Sequence, residues 1–370
     1  MTKRILIAPL DWGLGHATRC IPLIRELQRR DCQVFVAGSG DSRLLLEKEF
    51  PQLTFLELPG YQPSYPATRS MAWSMARQLS KFRRTIREEH ACVARYVKEY
   101  ALDLVISDNR YGCWTAAVPS IFITHQSNIL MPKRFGWMAP WIRRINHGFI
   151  RKFTECWIPD FPGDHALAGE LISFGKHPAN DTIRYIGPQS RFIPTHKTTA
   201  VYDLACVFSG PEPQRTMFEN IVVPQVKASG LKYFVVRGLP AAAEEQSSDN
   251  CVNFLSGAAL QTVLEQASCV IARSGFSTVM DLSALRKRAI FVPTPGQTEQ
   301  EYLAARLMKQ GVAFMQEQHR FNLAVALEES KKYRGFTESP ADPALLAGAL
   351  DKVFETWRKP QVQKEYVEGK

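Results

Sequence analysis

The residues able to do chemistry fall in two stretches of this 370-residue chain. In the first, Asp11 and a Gly13-Leu14-Gly15-His16 turn precede Ala17-Thr18-Arg19. Glycines let the backbone pass close to a ligand, and an imidazole titrates near neutral pH, which suits a general base for an acceptor hydroxyl. The same histidine can instead cap a helix or bind phosphate without moving a proton. Asp11 can orient His16, orient the acceptor, or simply make the turn. In the second stretch, Ser274, Gly275, Ser277 and Thr278 follow an apolar run and precede Asp281, and Gly296, Gln297 and Thr298 lead on to Gln300 and Glu301. Hydroxyls donate to phosphate oxygens, Asp281 can accept from ribose hydroxyls, and Gln300 and Glu301 can bond sugar hydroxyls. That set suits a nucleotide sugar, although a hydroxyl-rich turn in any αβ repeat carries similar residues.

The elements that must position these groups show as periodicity. Cys269–Ala272 and Ala289–Val292 are short apolar runs of the kind buried strands make, and Val279, Leu282 and Leu285 recur at helical spacing. Two strand–turn–helix units in tandem put two helix N-termini at the carboxyl edge of a parallel sheet, where free N–H groups and the helix dipole favour anions. The chain opens in the same way, with an apolar strand from Ile5, the glycine turn, then Cys20, Ile21, Ile24 and Leu27 along one helical face. That turn lacks the third glycine of a dinucleotide fingerprint, and no Gly-Lys-Ser/Thr makes it a P-loop. Further strands are predicted at 33–37, 53–58, 102–107, 120–124, 155–159 and 183–186, with a helix at 43–49. Asp108-Asn109 and the segment from His125 to Asn128 end two of them, at the edge that faces a ligand crevice. By residue type alone the second segment is a polar loop. After 187–196 breaks the periodicity, strands at 203–208, 232–236 and 252–254 begin a second αβ series. Ser209-Gly210, two prolines, Arg215 and Thr216 open its first helix.

The stretch 269–307 resembles the donor-binding region of GT-B glycosyltransferases, closest to family 28. That family includes the transferases that add N-acetylglucosamine to the peptidoglycan lipid precursor, and the diacylglycerol galactosyltransferases. Its Ser-Gly-(x)2-Thr-(x)2-acidic segment is matched by Ser274-Gly275…Thr278…Asp281, and its Pro-(x)n-Gln-acidic/Gln segment by Pro293…Gln300-Glu301. Its N-terminal glycine–histidine turn is matched by Gly13-Leu14-Gly15-His16, and His125…Asn128 is similar to its His-Glu-Gln-Asn segment. The resemblance implies that a UDP-sugar is held around Gly15, Ser209, Gly210, Arg215, Ser274, Gly275, Ser277, Thr278, Asp281, Gln300 and Glu301. It also implies that Asp108, Asn109, His125 and Asn128 line the acceptor side, and that UDP-N-acetylglucosamine is the leading donor. Two departures stand out: the ribose-binding acid is Asp281, one methylene shorter than the usual Glu, and Glu301 replaces a second Gln.

A chain of this length suits two domains of about 150–200 residues each. The expected architecture is α/β, a GT-B fold with two Rossmann-like domains facing across a cleft. Residues 1–190 form the acceptor domain, 191–202 a linker, 203–342 the UDP-sugar domain, and 343–358 a final helix able to return to the first domain. The eight cysteines include no CxxC pair and sit mostly in apolar runs, as reduced core residues do. No run of about 18 apolar residues is present to span a membrane. The net charge of +10 is concentrated before residue 190. Two amphipathic stretches carry much of it, 70–100 and 131–153. The latter sets Trp137, Trp141, Ile142, Ile145 and Phe149 among six Lys and Arg with no acid. Aromatics within an unbalanced cationic face suit an anionic lipid surface; for 70–100, a core-facing helix is the expected role. The basic residues form no recognised nucleic-acid module, so no nucleic-acid partner is expected.

These features predict an inverting glycosyltransferase, cytoplasmic and peripheral at the inner face of the membrane. It would move a sugar from a UDP-sugar to a lipid-linked or membrane-associated acceptor. No Asp-x-Asp triplet occurs, so neither a metal nor any cofactor beyond the UDP-sugar co-substrate is expected. Two rival readings fit the same residues. A UDP-sugar 2-epimerase on the same fold would need no lipid, and a non-catalytic subunit of a membrane transferase complex would bind UDP without turnover.

Overall fold

The computed structural model describes residues 2–61, 79–131, 133–174, 183–195, 199–239, 248, 250–337 and 343–356. Parts of the predicted segments lie outside these residues: 70–78 of the first basic stretch, Pro132 of the second, 196–198 of the linker, 338–342, and everything from Trp357.

Two all-parallel sheets organise the chain. The first comprises β1 (Arg4–Pro9), β2 (Gln33–Gly38), β3 (Thr54–Glu57), β4 (Leu104–Asp108), β5 (Ser120–Ile123), β6 (Glu155–Ile158) and β7 (Ile183–Tyr185), in the order β3-β2-β1-β4-β5-β6-β7. The second comprises β8 (Tyr202–Val207), β9 (Tyr233–Val236), β10 (Cys251–Val252), β11 (Ala267–Ala272), β12 (Ala289–Phe291) and β13 (Phe314–Met315), in the order β10-β9-β8-β11-β12-β13. Each order reverses direction once, between β1 and β4 and between β8 and β11. A crevice opens at such a switch point, beyond the carboxyl ends of the strands. Buried strands such as β1 and β4 are near-continuous runs of Ile, Leu and Val because helices cover both faces.

The covering helices are α1 (Leu14–Arg29), α2 (Gly40–Glu49), α3 (Leu79–Glu99) and α4 (Ala139–Ile150) on the first sheet. On the second they are α5 (Gln214–Ala228), α6 (Gly257–Glu265), α7 (Phe276–Ala284), α8 (Thr298–Lys309) and α9 (Leu323–Ser330). The last helix, α10 (Pro343–Thr356), crosses back. Its Leu346, Ala349, Leu350 and Val353 pack into the first sheet's core beside Leu27 and Val34, and Arg30 donates to the Ala347 carbonyl at 3.0 Å. All eight cysteines are free thiols.

The two lobes meet along a shared apolar seam. Phe276, Met280 and Leu303 of the second lobe pack with Phe122, Ile150 and Leu171 of the first. Hydrogen bonds frame it. Thr298 Oγ1 donates to the Leu130 carbonyl at 2.9 Å, the Glu170 N–H donates to Tyr302 Oη at 2.8 Å, and Arg306 donates to the Ala166 carbonyl at 3.0 Å.

Candidate active site

His16 stands in the first turn of α1, directly beyond the end of β1. Gly13 precedes the helix at φ 81°, a left-handed conformation that an L side chain would strain. Ser42 Oγ donates to the Gly13 carbonyl at 3.0 Å and fixes the turn. Asp108, the last residue of β4 and fully buried, reaches across the switch point, with its Oδ1 3.0 Å from His16 Nδ1. Arg19, one helical turn after His16, grips the same carboxylate with Nε and Nη2. Burial alone would raise the Asp108 pKa. Arg19 and then His16 outweigh it and hold the carboxyl well below its ordinary range. The His16 pKa is lowered, first by burial and then by the Arg19 guanidinium, against the pull of Asp108. His16 is therefore neutral at pH 7.

His16 Nδ1 also lies 2.8 Å from Arg19 Nη2. The nitrogen can donate to the carboxylate or accept from the guanidinium, and only the first arrangement leaves Nε2 an acceptor able to take a proton.

Asp11 does not orient His16, contrary to one sequence expectation. Its Oδ2 accepts from Ser39 Oγ at 3.1 Å and from the Tyr61 N–H at 3.0 Å, and Arg110 lies 3.8 Å from Oδ1. The orienting acid is Asp108, which the sequence suggested for the acceptor side. Asn109 holds its turn at φ 61° and accepts from Thr124 Oγ1 at 3.2 Å. Asn128 also departs from its expected acceptor role: it accepts from Arg143 at 2.8 Å and donates to the Glu170 carbonyl at 3.1 Å, so it is a brace. His125, by contrast, faces the centre. Its ring stacks on Phe276 at 4.6 Å, with Nδ1 2.7 Å from Arg19 Nη1.

On the opposite lobe, several residues expected to hold the donor are turned inward. Ser274 is fully buried and donates to the Gln300 carbonyl at 2.8 Å, closing the turn rather than offering its hydroxyl to phosphate. Asp281 accepts from Ser190 Oγ at 2.7 Å and pairs with Arg191 at 3.5 Å, so the interlobe segment takes the carboxylate expected for ribose. Arg215 is 4% exposed, locked between Glu212 and Glu219 at 2.5 Å from each, which removes it from a diphosphate role. Gln300 Oε1 accepts from the Thr294 N–H and Glu301 from the Gly296 N–H, both at 2.8 Å. Gln300 braces the loop from a buried position, while Glu301 is exposed and commits only one carboxylate oxygen to it. Ser277 Oγ donates to the Gly15 carbonyl at 2.9 Å, joining the two predicted turns. Besides Glu301, four of the expected donor residues stay available: half-buried Ser209, exposed Gly210 at φ 105°, and half-buried Gly275 and Thr278 at the amino end of α7. Among the described residues, no group of three or more His, Cys, Asp or Glu is arranged to hold a metal ion.

Residues 244–345 match the glycosyltransferase family 28 C-terminal domain. An uncharacterized glycosyltransferase of Methanosarcina mazei is 25% identical over 84% of this chain and 85% of its own length. The UDP-N-acetylglucosamine--N-acetylmuramyl-(pentapeptide) pyrophosphoryl-undecaprenol N-acetylglucosamine transferase of Glaesserella parasuis is 23% identical over 89% of this chain and 90% of its own. Among solved structures, Acinetobacter baumannii MurG superposes with a TM-score of 0.55 at 14% identity, covering 95% of this chain and 99% of that one. The glycosyltransferase SnogD from Streptomyces nogalater gives 0.60 at 15%, covering 95% and 100%. The chain is a glycosyltransferase of the GT-B fold, with its likeness to family 28 carried by residues 244–345.

Two groups at the centre of this transferase were absent from the sequence expectations. Arg19 was legible as the i+3 neighbour of His16 on one helical face. Glu299 carried no signal, because rotating α8 by one residue is enough to exchange it with Gln300. It accepts from His125 Nε2 at 3.2 Å, from the Gln126 side-chain amide, and from the Phe276 N–H at 3.4 Å.

The junction between the two turns is directly testable. A Cβ on Gly15 would sit 2.8 Å from Ser277 Oγ, and rotating that hydroxyl away forfeits its bond across the lobes, worth about 1 kcal/mol. Gly15→Ala and Ser277→Ala are each expected to slow turnover roughly fivefold, and the pair no more than either alone. Turnover of the three variants measures the coupling, and additive losses would mean that the contact does not matter.

Proposed function

We propose that this transferase moves a sugar, with inversion at the anomeric carbon and without a metal, from a UDP-sugar to a lipid-linked or membrane-associated acceptor. UDP-N-acetylglucosamine is the leading donor, since the Glaesserella relative is named for it. One observation carries the reading: a neutral histidine, oriented by a buried carboxylate of one lobe, sits against the amino end of a helix of the other. The acceptor oxygen attacks the anomeric carbon and His16 Nε2 takes its proton. The bond to the UDP oxygen breaks and UDP departs as an anion. The amides of Gly275 and Thr278 and the Ser209-Gly210 turn stabilise that charge. The test is UDP release on mixing donor with a membrane-lipid extract, in chelator-treated buffer. Release that depends on the lipid fraction is expected, and no release with any common UDP-sugar would reject the proposal. Release without lipid would favour donor hydrolysis or epimerisation.

Support for a membrane acceptor comes from the face around α4. Asn146, His147 and Ile150 turn inward, while Trp137 (79% exposed), Trp141 (65%) and Ile145 (42%) point outward beside exposed Arg134, Arg144 and Lys152. No helix among the described residues is long and apolar enough to cross a membrane, so the proposed attachment is peripheral, at the cytoplasmic face. Trp137→Ala with Trp141→Ala should weaken sedimentation with anionic vesicles by about tenfold, while thermal stability stays unchanged because both rings are exposed. Arg134→Glu with Arg144→Glu should do the same and remove most of the salt sensitivity. Unchanged vesicle binding in both pairs would rule this face out.

A further inference from the structure

The polar groups beneath His16 continue across the seam into the other lobe. Arg19 is 3% exposed, and each arm of its guanidinium has a partner. Arginine is only ever a donor, so His125 Nδ1, 2.7 Å from Nη1, must accept, and the proton of the neutral ring sits on Nε2. That Nε2–H points at Glu299 Oε1, 3.2 Å away on α8. Burial would raise the Glu299 pKa, but the hydrogen bonds the carboxylate accepts from His125 Nε2 and the Phe276 N–H help to hold it below its ordinary value. The result is an ordered line from the donor-side lobe to the base: Glu299, His125, Arg19, then Asp108 with His16.

Taking His16 as the base, as proposed above, we infer that Glu299 is a positioning residue for the transfer step. It is supplied by one lobe and sets the hydrogen-bonding state of the histidine on the other. The competition for His16 Nδ1 is why this matters. Asp108 Oδ1 at 3.0 Å favours a proton on Nδ1, and Arg19 Nη2 at 2.8 Å favours its absence. Glu299 keeps the His125 proton on Nε2, so His125 Nδ1 can hold the other arm of Arg19 away from His16. Without Glu299 that proton can move to Nδ1, where it meets Arg19 donor to donor. The guanidinium then turns to His16, and the Nε2 lone pair needed for catalysis is lost. A base assembled by both lobes is complete only when they are closed on each other, which limits proton abstraction in the open enzyme.

The charged and titratable groups facing His16 are Arg19 on α1, Asp108 at the end of β4, His125 beyond β5 and Glu299 on α8, with the Cys20 thiol on Asp108. Removing the Glu299 charge takes away a negative neighbour and lowers the His16 pKa further. The experiment compares wild type, Glu299→Gln, Glu299→Ala and Thr298→Ala as full-length protein without substrate. Imidazole nitrogens are observed by long-range proton–nitrogen NMR across a pH titration. The wild type should show His125 protonated on Nε2 and His16 on Nδ1. Both Glu299 variants should shift the His16 titration down by about half a pH unit or more, and Glu299→Ala should also move the His125 proton. Thr298→Ala loosens the seam by deleting the bond to Leu130 and should leave both rings unchanged. In transfer assays, Glu299→Ala should lower kcat about tenfold, with the donor KM within about twofold, and both Glu299 variants should move the acid limb of the profile to lower pH. Unchanged imidazole signals, or a raised donor KM at constant kcat, would overturn the inference and make Glu299 an inert brace or a sugar contact. Failure of the wild type to turn over any UDP-sugar would count against the transfer reading alone, since the NMR comparison needs no turnover.

Discussion

Replacing His16 with Ala is expected to lower kcat/KM for sugar transfer by about 1,000-fold, in the range general-base removal produces. The UDP-sugar dissociation constant should stay within about threefold, because the ring belongs to the opposite lobe from the donor turns. The pH profile carries a second signature. Burial and Arg19 put the His16 pKa below its ordinary 6.5, so the wild-type rate should be flat between pH 7 and 8. It should fall only as His16 gains a proton, on an acid limb lying under 6.5. In His16→Ala the residual rate should lose that limb. Steady-state rates between pH 5 and 8, with donor affinity from isothermal titration, decide the matter. A variant within tenfold of wild type, or one that keeps the acid limb, would show that another group removes the proton.

Much of this architecture was legible in the chain. Parallel strands buried on both faces must be continuous apolar runs, and Ile5–Ala8, Leu104–Ile106 and Val270–Ala272 could be little else. Glycines beyond strand ends marked both turns that now meet at Gly15 and Ser277. The destinations of individual side chains were harder to read, because they depend on partners remote in sequence. Asp281 answers to Ser190, 91 residues away, and Ser274 to the Gln300 carbonyl, 26 residues on. A hydroxyl or carboxylate at a helix start looks the same in sequence whether it serves a ligand or closes its own loop. Arg215 shows this for charge: residue type suggested a phosphate ligand, yet two glutamates at i−3 and i+4 consume it. The exposed Trp137 and Trp141 followed from composition, since an unbalanced basic segment has no internal counter-charge to fold against.

Asp108→Asn should prove the most damaging single change to folding, and it should slow turnover as well. It leaves the Arg19 guanidinium buried without its counter-charge, and breaking a buried pair from one side costs about 3–5 kcal/mol. Chemical denaturation at pH 7 should show a loss of that size. The pH dependence fixes the cause. A carboxyl whose folded pKa lies below its unfolded value, about 3.9, stabilises the fold above that value, and the gain vanishes as pH falls through the folded pKa. The gap between wild type and variant should therefore hold constant from pH 8 to about 5, begin to narrow below about 4, and keep narrowing as pH falls towards the folded pKa. Turnover should drop about 100-fold or more even where the variant is folded, because an amide can donate to His16 Nδ1 and so favour the tautomer without a free Nε2 lone pair. Adding Arg19→Met to Asp108→Asn removes the stranded cation, and should recover most of the stability with almost none of the activity. If instead the double variant stays as unstable as Asp108→Asn, the carboxylate serves the fold through something other than Arg19, and the ordered line to His16 loses its anchor.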